Sequence, residues 1–355
     1  MIGVAEPAIP ENARTVVVVC PSWVGDAVMA TPVYRAVKAH RPAARVAGVG
    51  RANLATLLEG APGLDEFRTI DMGGVVGPLR AGRAIRRIGA DAVLLLPNSF
   101  RSGLTARLSG TRVRIGYDRD GRGRLLSHAI PVEEVNRPVS AVESYLKLAG
   151  AALGVEASEL DPSLLLHVTD EERAAADRLL EGAGWPLVVL NPGANRETKR
   201  WPAERFAAAA TALRDELGAT IAVTGAPGEH GRVREVIEGV GGDRDDAPID
   251  LINRGVDLGS LKAVLARADL LITNDTGPRH IAAAVGTPVA GLFGPTDHRW
   301  TTLPGVRERC LLAEPFLPEE LVADDRPKMC AIDRIPAADV VAAAIALLNN
   351  GRTGP

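Results

Sequence analysis

The sequence predicts an α/β protein made of two doubly wound parallel sheets. Short, strongly apolar runs rich in Val, Ile and Leu alternate with longer helical stretches, the pattern of strands joined by helical crossovers. The alternation stops and restarts midway. The chain of 355 residues, 46% hydrophobic and 24% charged, is long enough for two domains with cores of ordinary size.

The first strand is TVVVVC (15–20), followed by an amphipathic helix expected from about Gly25 to His40. RVAGVG (45–50), FRTID (67–71) and AVLLLPN (92–98) supply further strands, with helices between them. Around 164–180, LLLHVTDEERAAADRLL passes from a strand-like piece into an Ala-rich helix and marks the join. The second series comprises LVVLNPG (187–193), TIAVTG (220–225), DLLITND (269–275) and PVAGLFGPT (288–296), separated by helices. PAADVVAAAIALLNN (336–350) closes the chain as a helix that could pack on either domain. The boundaries read as 1–168, with 1–13 a flexible leader, then 169–335, then a helix and tail over 336–355.

Composition excludes several classes. With 41 Lys and Arg against 44 Asp and Glu, the net charge of -3 offers no general attraction to nucleic acid or anionic lipid, so an anionic partner needs a local patch. No run approaches 18 apolar residues and the N-terminus lacks a signal-like pattern, so no transmembrane segment and a cytoplasmic location are expected. Cys20, Cys310 and Cys330 are too few and scattered for a disulfide framework or zinc site. DRD (118–120) and DRDD (243–246) imitate a metal motif but lie in polar loops away from strand ends, so neither metal nor cofactor is expected.

Open α/β sheets bind ligands beyond the carboxyl ends of their strands, and four such ends are unusual. PSWVGDAV (21–28) puts Gly25, which permits close backbone approach, and Asp26 at a helix start. The plain role for Asp26 is capping, worth roughly 0.5–2 kcal/mol; an exposed Trp23 beside Gly25 suggests instead a surface shaped for a ligand. NPGANRETKRWPAERF (191–206) joins the turn at Gly193 to Lys199 and Arg200 before a helix, a cradle for phosphate or else a solvated basic loop. It lacks P-loop spacing. ITNDTGPRHIAAAVGTP (272–288) makes a second anion site from the amides around Thr276 and Gly277, with Asp275 placed to bond hydroxyls, and His280 expected as a packed residue. LFGPTD (292–297) leaves Thr296 exposed at the fourth. No G-x-G-x-x-G follows a strand, which disfavours a dehydrogenase.

Two phosphate-friendly helix starts in one half and a carboxylate in the other are the layout of a GT-B glycosyltransferase, with two Rossmann-like domains facing a central cleft. PSWVGDAV with TPVYRAVK, LPNSFRS (96–102), PGANRETKRWP, NDTGPRHIAAA and FGPTD, in that order, resemble the lipopolysaccharide heptosyltransferases of glycosyltransferase family nine, most closely the heptosyltransferase II branch. The resemblance spans residues 15–297.

It implies an inverting transfer of L-glycero-D-manno-heptose from ADP-heptose to heptosyl-Kdo-lipid A. By residue, it implies that Asp26 is the catalytic base, that Lys199 offsets charge on the departing ADP, that Asp275 holds heptose hydroxyls, that Thr276 and Gly277 receive phosphates, and that Glu229 contacts the ribose. Gly193, Arg200 and Thr296 complete the expected nucleotide-sugar side, in the second domain. Trp23, Gly25, Asn98, Arg101, Arg112, Arg114, Arg122 and Arg124 form the expected acceptor side, in the first. Seven arginines from Arg101 to Arg124 face only Asp118 and Asp120, a surface suited to a phosphorylated Kdo-lipid A acceptor at the inner membrane, or an ordinary solvated loop. A monomer is expected. The sequence departs from the family where ANRET is one residue short and where Pro278-Arg279 replaces an apolar pair. A GT-B nucleotide-sugar epimerase, a family member using another ADP-sugar, and a catalytically idle binding protein stand as alternatives. Turnover without acceptor marks the epimerase, and ADP binding without transfer marks the idle protein.

Overall fold

The computed structural model describes residues 6–132, 139–242, 247–314 and 328–350. The chain divides into two compact units, Met1–His167 and Val168–Pro355. DRDD (243–246) lies outside the described residues.

Unit one runs β1 (Thr15–Val19), α1 (Val24–Met29), α2 (Thr31–His40), β2 (Arg45–Gly50), α3 (Asn53–Leu57), β3 (Glu66–Thr69), α4 (Gly77–Ile88), β4 (Ala92–Leu95), α5 (Phe100–Ser109), β5 (Val113–Tyr117), β6 (His128–Ile130) and α6 (Ala141–Leu153). Unit two runs α7 (Asp170–Leu179), β7 (Leu187–Asn191), α8 (Ala203–Leu217), β8 (Thr220–Val223), α9 (His230–Val240), β9 (Ile249–Asp250), α10 (Leu258–Arg267), β10 (Leu270–Asn274), α11 (Gly277–Val285), β11 (Val289–Phe293), β12 (Glu308–Leu312) and α12 (Ala337–Asn350). Their sheets have the orders β3-β2-β1-β4-β5-β6 and β12-β11-β10-β7-β8-β9, and every pairing among the described residues is parallel. Both are the same doubly wound order. Its topological switch points fall between β1 and β4 and between β7 and β10, so ligand sites are expected beyond those strand ends.

Central strands such as β1 are buried along their whole length, which is why they read as unbroken Val runs rather than alternating ones. The helix expected over Gly25–His40 is two helices meeting at Ala30. Pro32 has no N–H to give the Val28 carbonyl four residues back, and the Thr31 hydroxyl donates to that oxygen at 2.8 Å instead. β5, β6, β9 and β12 went unread because they are short or carry charge. The piece before α7 forms no strand, and α7 begins with a reciprocal capping box between Thr169 and Glu172.

Residues 6–13 are not a loose leader. Ile9 is fully buried and its N–H bonds Ala152 O at 2.9 Å, while the Arg41 guanidinium holds the Ile9 and Pro10 carbonyls. The closing helix α12 belongs to unit two. Its Val340, Ala344 and Leu347 join the core of Phe206, Leu213 and Trp201.

Candidate functional site

Beyond β7 and β10 the chain builds a connected polar site in unit two. The side chain of Asn274, the last residue of β10, accepts from Trp201 N at 3.1 Å and donates to Pro192 O at 3.0 Å and Gly193 O at 3.1 Å. One buried amide thereby folds the 192–201 loop back onto β10. Asn191 at the end of β7 donates to Thr273 at 3.0 Å and Thr276 at 2.9 Å, tying the two strand ends together. Trp201 is fully buried, with its ring edge-on to Phe206 and its indole N–H on Ile335 O at 3.0 Å. The loop is anchored at both ends.

These anchors bring Lys199 to Asp275, Nζ to Oδ2, at 3.5 Å. Both are largely buried, at 16% and 6% exposure, which strengthens their attraction relative to a surface pair. Arg200 donates through Nε to Ala194 O at 2.9 Å, bracing the loop from within. Thr276 is the N-cap of α11 but its side chain makes no capping bond; Pro278 carries no N–H and Arg279 N donates to Thr276 O at 3.1 Å, so the Gly277 amide is the one in the first turn left for an anion. Glu229, the last residue of the helical turn Pro227–Glu229 after β8, comes against Gly193 and accepts from Ala226 N at 2.8 Å. Five of the expected nucleotide-side residues, Gly193, Lys199, Glu229, Asp275 and Thr276, thus sit around one pair of strand ends.

Two expectations on this side change. Thr296 is buried, at 7% exposure, and its hydroxyl has no partner among the described residues. Arg279, an apparent oddity in the α11 motif, is also fully buried, bonded through a fork to Glu308 at 2.6 and 2.8 Å and to Asp275 at 3.3 Å. His280 is packed as expected, and burial holds its imidazole at about 3, with Arg279 and Lys199 adding to the effect. It is a neutral group at working pH.

In unit one, Asp26 lies in the first turn of α1, whose N-cap is Trp23, and is partly exposed. Trp23 is 64% exposed. Tyr145 of α6 lies near Asp26: burial raises its hydroxyl's pKa far above the ordinary value, and the Asp26 charge raises it further. The arginines divide. Arg122 is fully buried and donates to Tyr117 O at 2.9 Å, Pro97 O, Ser102 Oγ at 2.8 Å and Asn98 Oδ1 at 3.1 Å. It is an internal brace that also occupies Asn98, so neither is the free acceptor contact expected of it. Arg114 is similarly engaged by the Leu125, Thr111 and Arg112 carbonyls. Arg101 is exposed but grips Met72 O and Gly74 O, whereas Arg112 and Arg124 are exposed at the surface. A buried arginine and a solvated one look alike in sequence.

Among the described residues no group of three or more His, Cys, Asp or Glu could hold a metal ion, and no helix is long and apolar enough to cross a membrane. Sequence reasoning missed Asn191, Asn274, Tyr145 and the Arg279–Glu308 pair. The two asparagines had a signal, since each ends a buried apolar strand where an amide must find partners.

The profile of glycosyltransferase family 9 (heptosyltransferase) matches residues 79–323. The chain is 28% identical to lipopolysaccharide heptosyltransferase 2 of Escherichia coli (strain K12) over 296 residues, 81% of this chain and 84% of that protein. It is 26% identical to lipopolysaccharide heptosyltransferase 3 of Escherichia coli over 355 residues, 93% and 98% of the two chains. The solved structure of E. coli ADP-heptose lipopolysaccharide heptosyltransferase II superposes with a TM-score of 0.80 at 25% identity, covering 96% of this chain and 100% of that one.

Proposed function

The chain belongs to glycosyltransferase family 9, the heptosyltransferases, and from that premise we propose that it transfers a heptose from ADP-heptose to the lipopolysaccharide inner core, at a heptosyl-Kdo-lipid A acceptor. The observation that carries the reading is the cluster beyond β7 and β10, where Asn274 clamps the Lys199 loop beside Asp275 and the open N-terminus of α11. A diphosphate suits that cluster because its charge meets an ammonium and the Gly277 amide at a helix N-terminus together.

In the proposed reaction the acceptor hydroxyl oxygen attacks the anomeric carbon and gives its proton to the Asp26 carboxylate. The bond from that carbon to the β-phosphate oxygen breaks, and its electron pair leaves with ADP. Lys199 and the amides at Thr276 and Gly277 offset the charge that develops there. Asp275 takes the heptose hydroxyls and Glu229 the ribose. Attack opposite to departure inverts the anomeric centre.

The acceptor is a lipid, and peripheral association of unit one with the cytoplasmic face of the inner membrane belongs to the same reading. Supporting it, Val75 (96% exposed) and Val76 lie in the loop beyond β3 and Phe100 (51%) opens α5 beyond β4, with the exposed Arg80 and Arg101 bonded to the carbonyls of Met72, Gly73 and Gly74 beside them. Apolar tips with nearby cations suit an anionic bilayer.

The test is mass spectrometry of products from a panel of ADP- and UDP-sugars with Kdo-lipid A and heptosylated Kdo-lipid A. Transfer from ADP-heptose only to the already heptosylated acceptor is expected. Donor turnover without acceptor, or transfer only from UDP-sugars, would sink the proposal.

A further inference from the structure

Arg279 occupies the first turn of α11 and is fully buried, although the positive end of a helix dipole disfavours a cation there. Burial of a guanidinium also demands compensation, and the surrounding residues provide it from three directions. Glu308 on β12 takes Nε and Nη2 in a two-pronged pair at 2.6 and 2.8 Å; Thr301 O accepts from Nη1 at 3.0 Å; and the Phe293 ring lies under the guanidinium carbon at 4.7 Å. Even the neighbouring strand is shaped for this, because a Cβ at Gly291 would fall 2.7 Å from Glu308 Oε1.

The remaining contact of Arg279 points into the site. Its Nη1 meets Asp275 Oδ1 at 3.3 Å, an oxygen also approached by the Thr301 hydroxyl at 3.4 Å, while Oδ2 faces Lys199 at 3.5 Å. One oxygen of Asp275 is therefore held from behind and the other is left on the Lys199 side. His280, within 4.0 Å of Oδ1, is neutral and cannot take over this task.

We propose that Arg279, itself fixed by Glu308, is a positioning residue that orients the Asp275 carboxylate toward the sugar of the nucleotide-sugar donor and shares its charge, so that Lys199 remains available to the diphosphate. The inference rests on the donor reading above, in which Asp275 meets sugar hydroxyls. It assigns to this chain a charged pair, Arg279 with Glu308, at the place where the family motif carries an apolar residue. Discrimination between ADP-heptose and ADP alone then depends on a residue that touches neither.

Removing Arg279 alone strands Glu308 without its partner, so the informative variant is R279M/E308M, which removes both charges and keeps comparable bulk. Calorimetry with ADP and with ADP-heptose reads the outcome. Affinity for ADP should stay within about threefold of wild type, while affinity for ADP-heptose falls about tenfold or more and its KM rises with it. R279K, which keeps the charge but loses the fork, should shift the same ratio by a smaller factor and serves if the double variant does not fold. An unchanged ratio of the two affinities in either folded variant, with only the melting temperature altered, would overturn the proposal in favour of a purely structural pair. Equal loss for both ligands would overturn it too. If wild-type protein binds ADP-heptose no better than ADP, the donor reading itself fails, a result separate from any variant.

Discussion

A Cβ placed on Gly193 would lie 2.0 Å from the Oε2 of Glu229, so the carboxylate rests directly on the glycine backbone. Any side chain at 193 must drive Glu229 from this position. If Glu229 bonds the ribose, Gly193→Ala should weaken ADP binding about tenfold, the size of a lost hydrogen bond to a charged group. Binding of inorganic pyrophosphate should be little changed. Titration in which both ligands weaken equally removes the ribose role.

Asp26→Asn keeps the size and part of the hydrogen bonding of the first turn of α1 but removes the proposed base. Turnover should fall by roughly 10²–10⁴ while ADP-heptose affinity changes little. Retention of more than a tenth of wild-type turnover would remove Asp26 from the mechanism.

Lys199→Ala deletes the charge-assisted contact proposed to the diphosphate, a kind typically worth about 1.5–3 kcal/mol, and should weaken ADP binding roughly 10- to 150-fold. It also leaves Asp275 with Arg279 as its remaining close cation, so the protein should still fold. Calorimetry that finds wild-type ADP affinity refutes the assignment.

The arginines of the 101–124 region should separate by burial. Neutralising the exposed Arg112 and Arg124 should raise the KM for the phosphorylated acceptor and leave that for ADP-heptose unchanged, with an effect that shrinks as salt screens it. Arg122→Met should instead lower stability by roughly 3 kcal/mol or more, since it strands several buried acceptors at once. Thermal melting distinguishes the two groups, and an Arg122 variant with wild-type melting contradicts the bracing role.

His280 carries a pH dependence whose sign follows from burial. Its folded pKa is about 3 against an ordinary 6.5, so between those values the unfolded chain binds a proton that the folded chain does not. Stability should therefore be level above pH 6.5 and fall by up to about 1.4 kcal/mol per unit as pH drops toward 3. His280→Leu should flatten that part of the slope. Parallel melting curves for the two proteins between pH 6 and pH 4 would show that the imidazole contributes nothing.

Much of the architecture was legible from local pattern. TVVVVC, LVVLN and LLITN declare buried parallel strands because both faces are apolar, and Thr169 with Glu172 is a helix start that needs no distant partner. The motifs at the strand ends also located Lys199, Asp275 and Thr276, since the carboxyl end of a strand in such a sheet is a binding position whatever the rest of the chain does. The breaks with expectation at the level of elements, among them the interruption at Ala30, the strand missing before α7 and the short or charged strands β5, β6, β9 and β12, arise where a single proline or a few residues decide the outcome.

Other features depended on residues far apart in the chain. Nothing local distinguishes Arg122, enclosed by Pro97, Ser102 and Tyr117, from Arg124 two residues later in solvent. Arg279 looked like a departure from its motif until Glu308, 29 residues on, supplied the countercharge. Sequence by itself determined the central strands of both sheets, the family and the strand ends where the polar cluster forms, because strand and helix periodicity and strand-end motifs are short-range properties. The tertiary structure alone decided which charged side chains stay exposed and which brace the interior, because the free energy of a charge depends on its surrounding dielectric and its partners, and both are set by residues brought together only when the chain folds.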